Sequence, residues 1–306
     1  MSTSHAVAER LFSSPLPVDL LATARPLVAS AQDPTIRVRA GVLVRAARTP
    51  EGPGTIAIER RGERGFVARA HGPGATWLLE QAPGLVGARD HLEGFRPHLH
   101  PVVARAHHRR PALRMLRSGS VRDLLVSTVI AQRVTSREAA RSWTRLVRAW
   151  GEPAPGPHGL TLPPSDERLA ATPYHAFHRL GIDRSRAVRI ARACRDIGHL
   201  QRAVELAPDQ AQRAMTQVPG VGVWTAAHLQ RVAAGDPDAV EVGDDGVKHH
   251  VAWNLAGEPR GSDERMLELL APFAGHRGRV VRLILSAGQR PPTFRAKPRV
   301  IPVDQL

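Results

Sequence analysis

Residues Thr216 to Ala227, Thr-Gln-Val-Pro-Gly-Val-Gly-Val-Trp-Thr-Ala-Ala, join two stretches of helical periodicity through a tight turn, Val218-Pro219-Gly220-Val221-Gly222. Pro219 cannot continue the first helix, while Gly220 and Gly222 can take positive φ and carry no Cβ to hold another backbone away. The second helix then opens with free N–H groups at its positive end, which makes a seat for a phosphate. The same residues also serve many helical turns for steric reasons alone. Further along, Asp244 and Asp245 stand before a helix that the periodicity begins near Val247. A carboxylate there can stabilise a developing positive charge or simply cap the helix.

Charge points to the partner. The chain has 43 Lys and Arg against 28 Asp and Glu, a formal net charge of +15, and its only lysines are Lys248 and Lys297. Guanidinium forks pair bidentately with phosphate at any cellular pH, so an arginine-dominated surface suits a polyanion. A GC-rich genome would also raise Arg, Ala, Gly and Pro, so charge alone does not decide. With no 18-residue apolar run, and no apolar core in residues 1–12, the reading expects no membrane span or signal peptide and a cytoplasmic, nucleoid-associated protein. The single cysteine, Cys194, forbids an internal disulfide and cannot hold an iron-sulfur cluster. It lies in the stripe Ala187, Ile190, Ala191, Cys194, Ile197, which predicts a core position.

The elements around these motifs fall into two kinds. Thr35 to Arg45 alternates with period two, followed by strand-like Gly54 to Ile58 and Phe66 to Ala68, then a helix near Trp77 to Leu85. The basic run Arg96 to Arg117, with His98, His100, His107 and His108, reads as a linker with solvated histidines. Beyond Ser118 the period becomes 3.6, predicting helices that include one with Trp143, Leu146, Val147 and Trp150 on one face, and others at 184–199, 208–217, 224–234, 247–255, 262–273 and 277–287. The class is α+β: an N-terminal antiparallel sheet and helix domain over residues 1–108, an all-helical domain over 109–288, and a Pro/Arg-rich tail over 289–306.

The helical part resembles the helix-hairpin-helix superfamily of DNA base-excision glycosylases, and within it the AlkA-like 3-methyladenine glycosylase II branch. The resemblance covers residues 110–288, through Ala131-Gln132-Arg133-Val134, Gly181 to Ala187, the hairpin, and Gly243-Asp244-Asp245-Gly246-Val247-Lys248. It implies double-stranded DNA with a damaged base as partner, and DNA contacts at Gln132, Arg133, Pro219, Gly220, Val221, Gly222, Thr225 and Lys248. It also implies a sodium or potassium ion on the main-chain carbonyls of Thr216, Val218 and Val221, with no cofactor for catalysis. The family's essential aspartate lies about twenty residues past the hairpin, and register from Trp224 favours Asp244 over Asp245. Breaking a purine's bond to C1′ leaves an oxocarbenium-like sugar that such a carboxylate stabilises. Relatives that also nick the strand carry a lysine where this chain has Trp224, so a monofunctional enzyme without lyase activity is implied.

The pocket departs from the family, since the chain is only 4% aromatic. Trp224 matches one expected ring, but His228 and Asp245 stand where other aromatics are expected, and one near Leu285 is missing. Trp253, nine residues after Asp244, is a substitute candidate, though core packing explains it better. Arg133, at the position of the residue that fills the gap left by a flipped base, could be such a wedge or an ordinary phosphate contact. Three functions are left: a glycosylase for alkylated purines, a glycosylase for oxidised, deaminated or bulky lesions, and a non-catalytic DNA-binding module.

Overall fold

The structure, a computed structural model, describes residues 8–292. Five strands, β1 (Ala8–Ser13), β2 (Ile36–Arg39), β3 (Val42–Thr49), β4 (Gly52–Arg61) and β5 (Gly65–His71), form one antiparallel sheet in the order β1-β5-β4-β3-β2. The alternating run Thr35 to Arg45 is thus two strands, parted where Gly41 takes φ +78°. Helix α1 (Ala75–Leu85) lies on the sheet, and its Leu78, Ala82 and Leu85 pack with Leu43, Ile56, Ile58 and Phe66 in one buried cluster.

The remaining helices of seven residues or more are α2 (Pro101–Arg109), α3 (Arg122–Ile130), α4 (Ser136–Trp150), α5 (Arg184–Arg195), α6 (Ile197–Ala203), α7 (Pro208–Thr216), α8 (Val223–Leu229), α9 (Val247–Ala256), α10 (Asp263–Leu270) and α11 (Arg277–Ala287). Helices α3 to α8 share a core that includes Trp143, Leu146, Ile190, Met215 and Leu229. Cys194 belongs to it, and burial pushes its thiol up to about 12, which leaves it inert at neutral pH. The helix expected at 224–234 continues past Leu229 as one π turn, Gln230–Ala234, ended by Gly235 at φ +76°.

The basic run read as a linker is not one. Its middle is α2, whose Val103 and Ala106 are fully or almost fully buried with Val251, Leu270 and Ile284 in a third cluster. His100 caps this helix by accepting the Val102 N–H, and its other ring nitrogen lies 3.0 Å from the Leu255 carbonyl, so it too is structural. The segment after α1 is tied to α11 by a buried ion pair, in which Arg279 grips both oxygens of Asp90 at 2.6 and 2.8 Å. Of the Pro/Arg-rich tail, residues 293–306 lie outside the described residues.

Candidate active site

The hairpin forms between α7 and α8. The Val218 carbonyl accepts the Val221 N–H at 3.0 Å, closing the turn. Gly220 takes φ +99°, and a Cβ there would stand 3.0 Å from Arg189 Cβ. Gly222 does not need positive φ: at φ −85° and ψ 179° it is extended backbone, and the space where its Cβ would project is open. Its smallness therefore keeps clear the approach to the start of α8. Pro219 is exposed on the same turn, while Val218 and Val221 are buried beneath it.

Two residues expected at the DNA surface instead fasten the turn. Thr225, 1% exposed, accepts from Gln132 Nε2 at 2.9 Å, and the same amide donates to the Gly220 carbonyl. Gln132 Oε1 accepts from Arg189 at 3.0 Å. The side-chain amide of Gln132 thus links the segment following α3, the turn and α5. The next residue, Arg133, is exposed and takes φ +59°, unique among the described non-glycine residues. Holding a side chain in that region costs on the order of 1–3 kcal/mol and is a mark of functional sites. Arg133→Gly should therefore be more stable than Arg133→Ala by about 1 kcal/mol in urea melts, the reverse of the order in a helix. Equal stability would mean that the backbone is not strained there.

Asp244 is placed by a loop anchored at three points. Arg277 grips Asp238 bidentately, Arg231 and His228 hold Glu241, and Asp263 at the start of α10 accepts the Gly243 N–H at 3.0 Å. The Asp244 carboxylate then has both oxygens engaged. Oδ1 accepts the N–H groups of Gly246 and Val247 at 2.8 and 3.0 Å, capping α9, and Oδ2 accepts from Trp224 Nε1 at 3.1 Å. Capping and placement beside the Trp224 ring are simultaneous, not alternatives. Lys248, expected to meet DNA, sits 3.5 Å from Asp263 Oδ2.

Trp224 and His228, one turn apart on α8, stack with ring centroids 5.8 Å apart and planes 11° from parallel. Both line a cavity of about 260 Å³, whose lining also includes Thr35 and Arg45 from the sheet region and Ser127 and Trp143 from α3 and α4. His228 Nδ1 lies 3.1 Å from Glu241 Oε1, which also accepts from Arg231 Nε at 2.7 Å. Burial alone would push the Glu241 carboxyl up, but Arg231 and His228 outweigh it and hold it well below the usual carboxylate range.

The other pocket candidates lie elsewhere. Asp245 is exposed and Trp253 is half-buried in α9, and neither lines this cavity; Leu285 is 48% exposed. Tertiary contact also adds Glu241, Arg231, Asp263 and the lining from the sheet region, which sequence reading missed. Only the His228 and Arg231 spacing, three residues apart on one helix face, hinted at a shared partner. Among the described residues no cluster of three or more His, Cys, Asp or Glu is arranged to hold a metal.

This fold is the helix-hairpin-helix DNA glycosylase fold. It superposes on the 3-methyladenine DNA glycosylase of Archaeoglobus fulgidus with a TM-score of 0.76, at 18% identity over 90% of this chain and 97% of that one. The 8-oxoguanine glycosylase/lyase of Clostridium acetobutylicum gives 0.69, at 13% identity over 91% and 97%. In sequence, 160 residues are 29% identical to a Mycobacterium tuberculosis protein described as "probable bifunctional transcriptional activator/DNA repair enzyme AlkA", covering 51% of this chain and 31% of that one. The chain thus spans about a third of the length of the curated relatives it matches. No family model matches it.

Proposed function

We propose that the chain is a monofunctional DNA glycosylase that hydrolyses the N-glycosidic bond of damaged purines, alkylated purines among them, in base excision repair. The observation that carries this reading is the Asp244 carboxylate, fixed by Gly246, Val247 and Trp224, the last of which lines the cavity. Three of its roughly four lone-pair sites are filled, which leaves one for the reacting sugar or water. With the nucleotide flipped out of the stack, the base enters the cavity against Trp224 and His228. As the C1′–N bond breaks, its electron pair leaves with the base, and Asp244 stabilises the positive sugar until water adds. The hairpin and its neighbours position the duplex by phosphate contacts, which carry no sequence information. A sodium or potassium ion would sit on the carbonyls of Thr216, Val218 and Val221, an uncharged oxygen set that suits a monovalent cation.

Alkylated purines are favoured by the sequence similarity to AlkA and are activated in advance, since N3 or N7 methylation makes the ring cationic. Trp224 donates its N–H to Asp244 and has no amine for a Schiff base with C1′. The test is excision from duplexes carrying one modified base each, with and without hot alkali, together with borohydride trapping. Alkali-dependent cleavage and no trapped complex are expected. A covalent complex with damaged DNA would overturn the monofunctional reading, and no cleavage of any modified duplex would overturn the enzyme itself. Among the described residues no helix is long and apolar enough to cross a membrane.

A further inference from the structure

We propose that His228 is a proton donor to the departing base, giving this pocket an activity on neutral damaged purines that its aromatic lining does not supply. The inference rests on the glycosylase reading above and extends it to a second class of substrate.

A purine without prior alkylation leaves poorly, because the electron pair of the broken bond makes it an anion. It needs a proton at a ring nitrogen as the bond breaks. A cationic base needs none, but is held best between electron-rich rings. In this cavity the Trp224 indole stacks on the His228 imidazole, Trp143 is a second indole in the lining, and the two other positions expected to be aromatic are occupied by the exposed Asp245 and Leu285. The pocket thus holds, stacked on Trp224, a group that can hand over a proton.

The surroundings of His228 fit that role. His228 Nδ1 lies 3.1 Å from Glu241 Oε1 and 3.2 Å from Arg231 Nη2; with hydrogen on Nδ1 it donates to Glu241, whose carboxylate, ionised by the contact with Arg231, can only accept. Nε2, on the opposite edge of the ring, has no protein partner among the described residues. A buried carboxylate behind an imidazole fixes its orientation. Glu241 and Arg231 are positioning residues in this arrangement. The other charged groups around the ring are Asp244, bonded to Trp224, and Arg25, Asp33 and Arg45 in the lining of the same cavity, with Arg282 of α11 near Glu241 and Arg231. Asp33 already accepts from Ala29, Thr35 and Trp143.

The step balances without a co-reactant. The Nε2 proton moves to a purine ring nitrogen, the C1′–N pair goes to the base, and the base departs neutral. Water adds to C1′ and gives its proton to Asp244, and solvent then restores both groups.

Single-turnover excision from duplexes carrying hypoxanthine, a neutral lesion, or 7-methylguanine, a cationic one, tests this across pH 5 to 9. For the wild type, the hypoxanthine rate should fall as pH rises through the imidazole range, and the 7-methylguanine rate should lack that limb. His228→Phe, which keeps a ring on Trp224, should lower hypoxanthine excision at least about 100-fold, the scale of general acid catalysis, and 7-methylguanine excision by much less. Equal losses on both lesions, a missing limb, or wild-type excision of 7-methylguanine alone would overturn the proposal while leaving the glycosylase reading intact. Excision of neither lesion would overturn the proposal, and the glycosylase reading with it if no other modified duplex is cleaved. The wild-type pH limb decides even if the variant does not fold.

Discussion

Asp244→Asn should reduce single-turnover excision to about one-hundredth to one-thousandth of the wild-type rate, while the protein stays folded. The asparagine carbonyl can still accept the Gly246 and Val247 N–H groups, so the cap on α9 survives. What changes is the other end of the side chain. An amide N–H₂ there faces the Trp224 N–H donor to donor, and the negative charge beside the sugar is gone. Removing one preorganised group aimed at transition-state charge costs a factor of about 10² to 10³. The measurement is alkali-revealed strand cleavage against time, with enzyme in excess and a thermal melt as the folding control. Excision persisting above about one percent of wild type would remove Asp244 from the chemistry. Asp245→Asn, at an exposed position outside the cavity, is the natural comparison.

A second large effect is expected far from the cavity. Arg279 and Asp90 have side chains only 3% exposed and join α11 to the segment that follows the sheet domain. Arg279 also donates to the His91 carbonyl and lies 5.6 Å from the centroid of the Phe95 ring, and Asp90 accepts the Met115 N–H at 3.0 Å. Breaking a buried pair from one side leaves an uncompensated charge, so Arg279→Met should cost about 3–5 kcal/mol in urea or thermal denaturation. Adding Asp90→Asn removes the stranded charge, keeps an acceptor for Met115, and should recover part of the loss. If Arg279→Met costs under about 1 kcal/mol, the pair does not hold these segments together.

These predictions draw on different amounts of sequence information. The strand periodicity from Thr35, the helices at 208–217 and 277–287, and the hairpin residues could be read directly, because period and turn chemistry are local properties of the chain. Strand β1 could not, since its Leu11 is 72% exposed and its six residues are held by the ladder to β5. Nor could α2, whose arginines and histidines hid the two positions, Val103 and Ala106, that bury it against α9 and α11.

The site divides along the same line. Sequence by itself determined the hairpin, while the resemblance to the glycosylases pointed to the aspartate twenty residues past Trp224 and to a tryptophan in the place of a lysine. Only the tertiary structure decided that Asp244 bonds to that tryptophan, that Gln132 and Thr225 brace the turn, that Asp245 and Trp253 stay out of the cavity, and that a buried Glu241 stands behind His228. The reason is physical. A turn is set by the φ and size of its own residues, whereas a carboxylate's partners, and which faces of α8 and the sheet domain close a cavity, are set by packing between segments far apart in the chain.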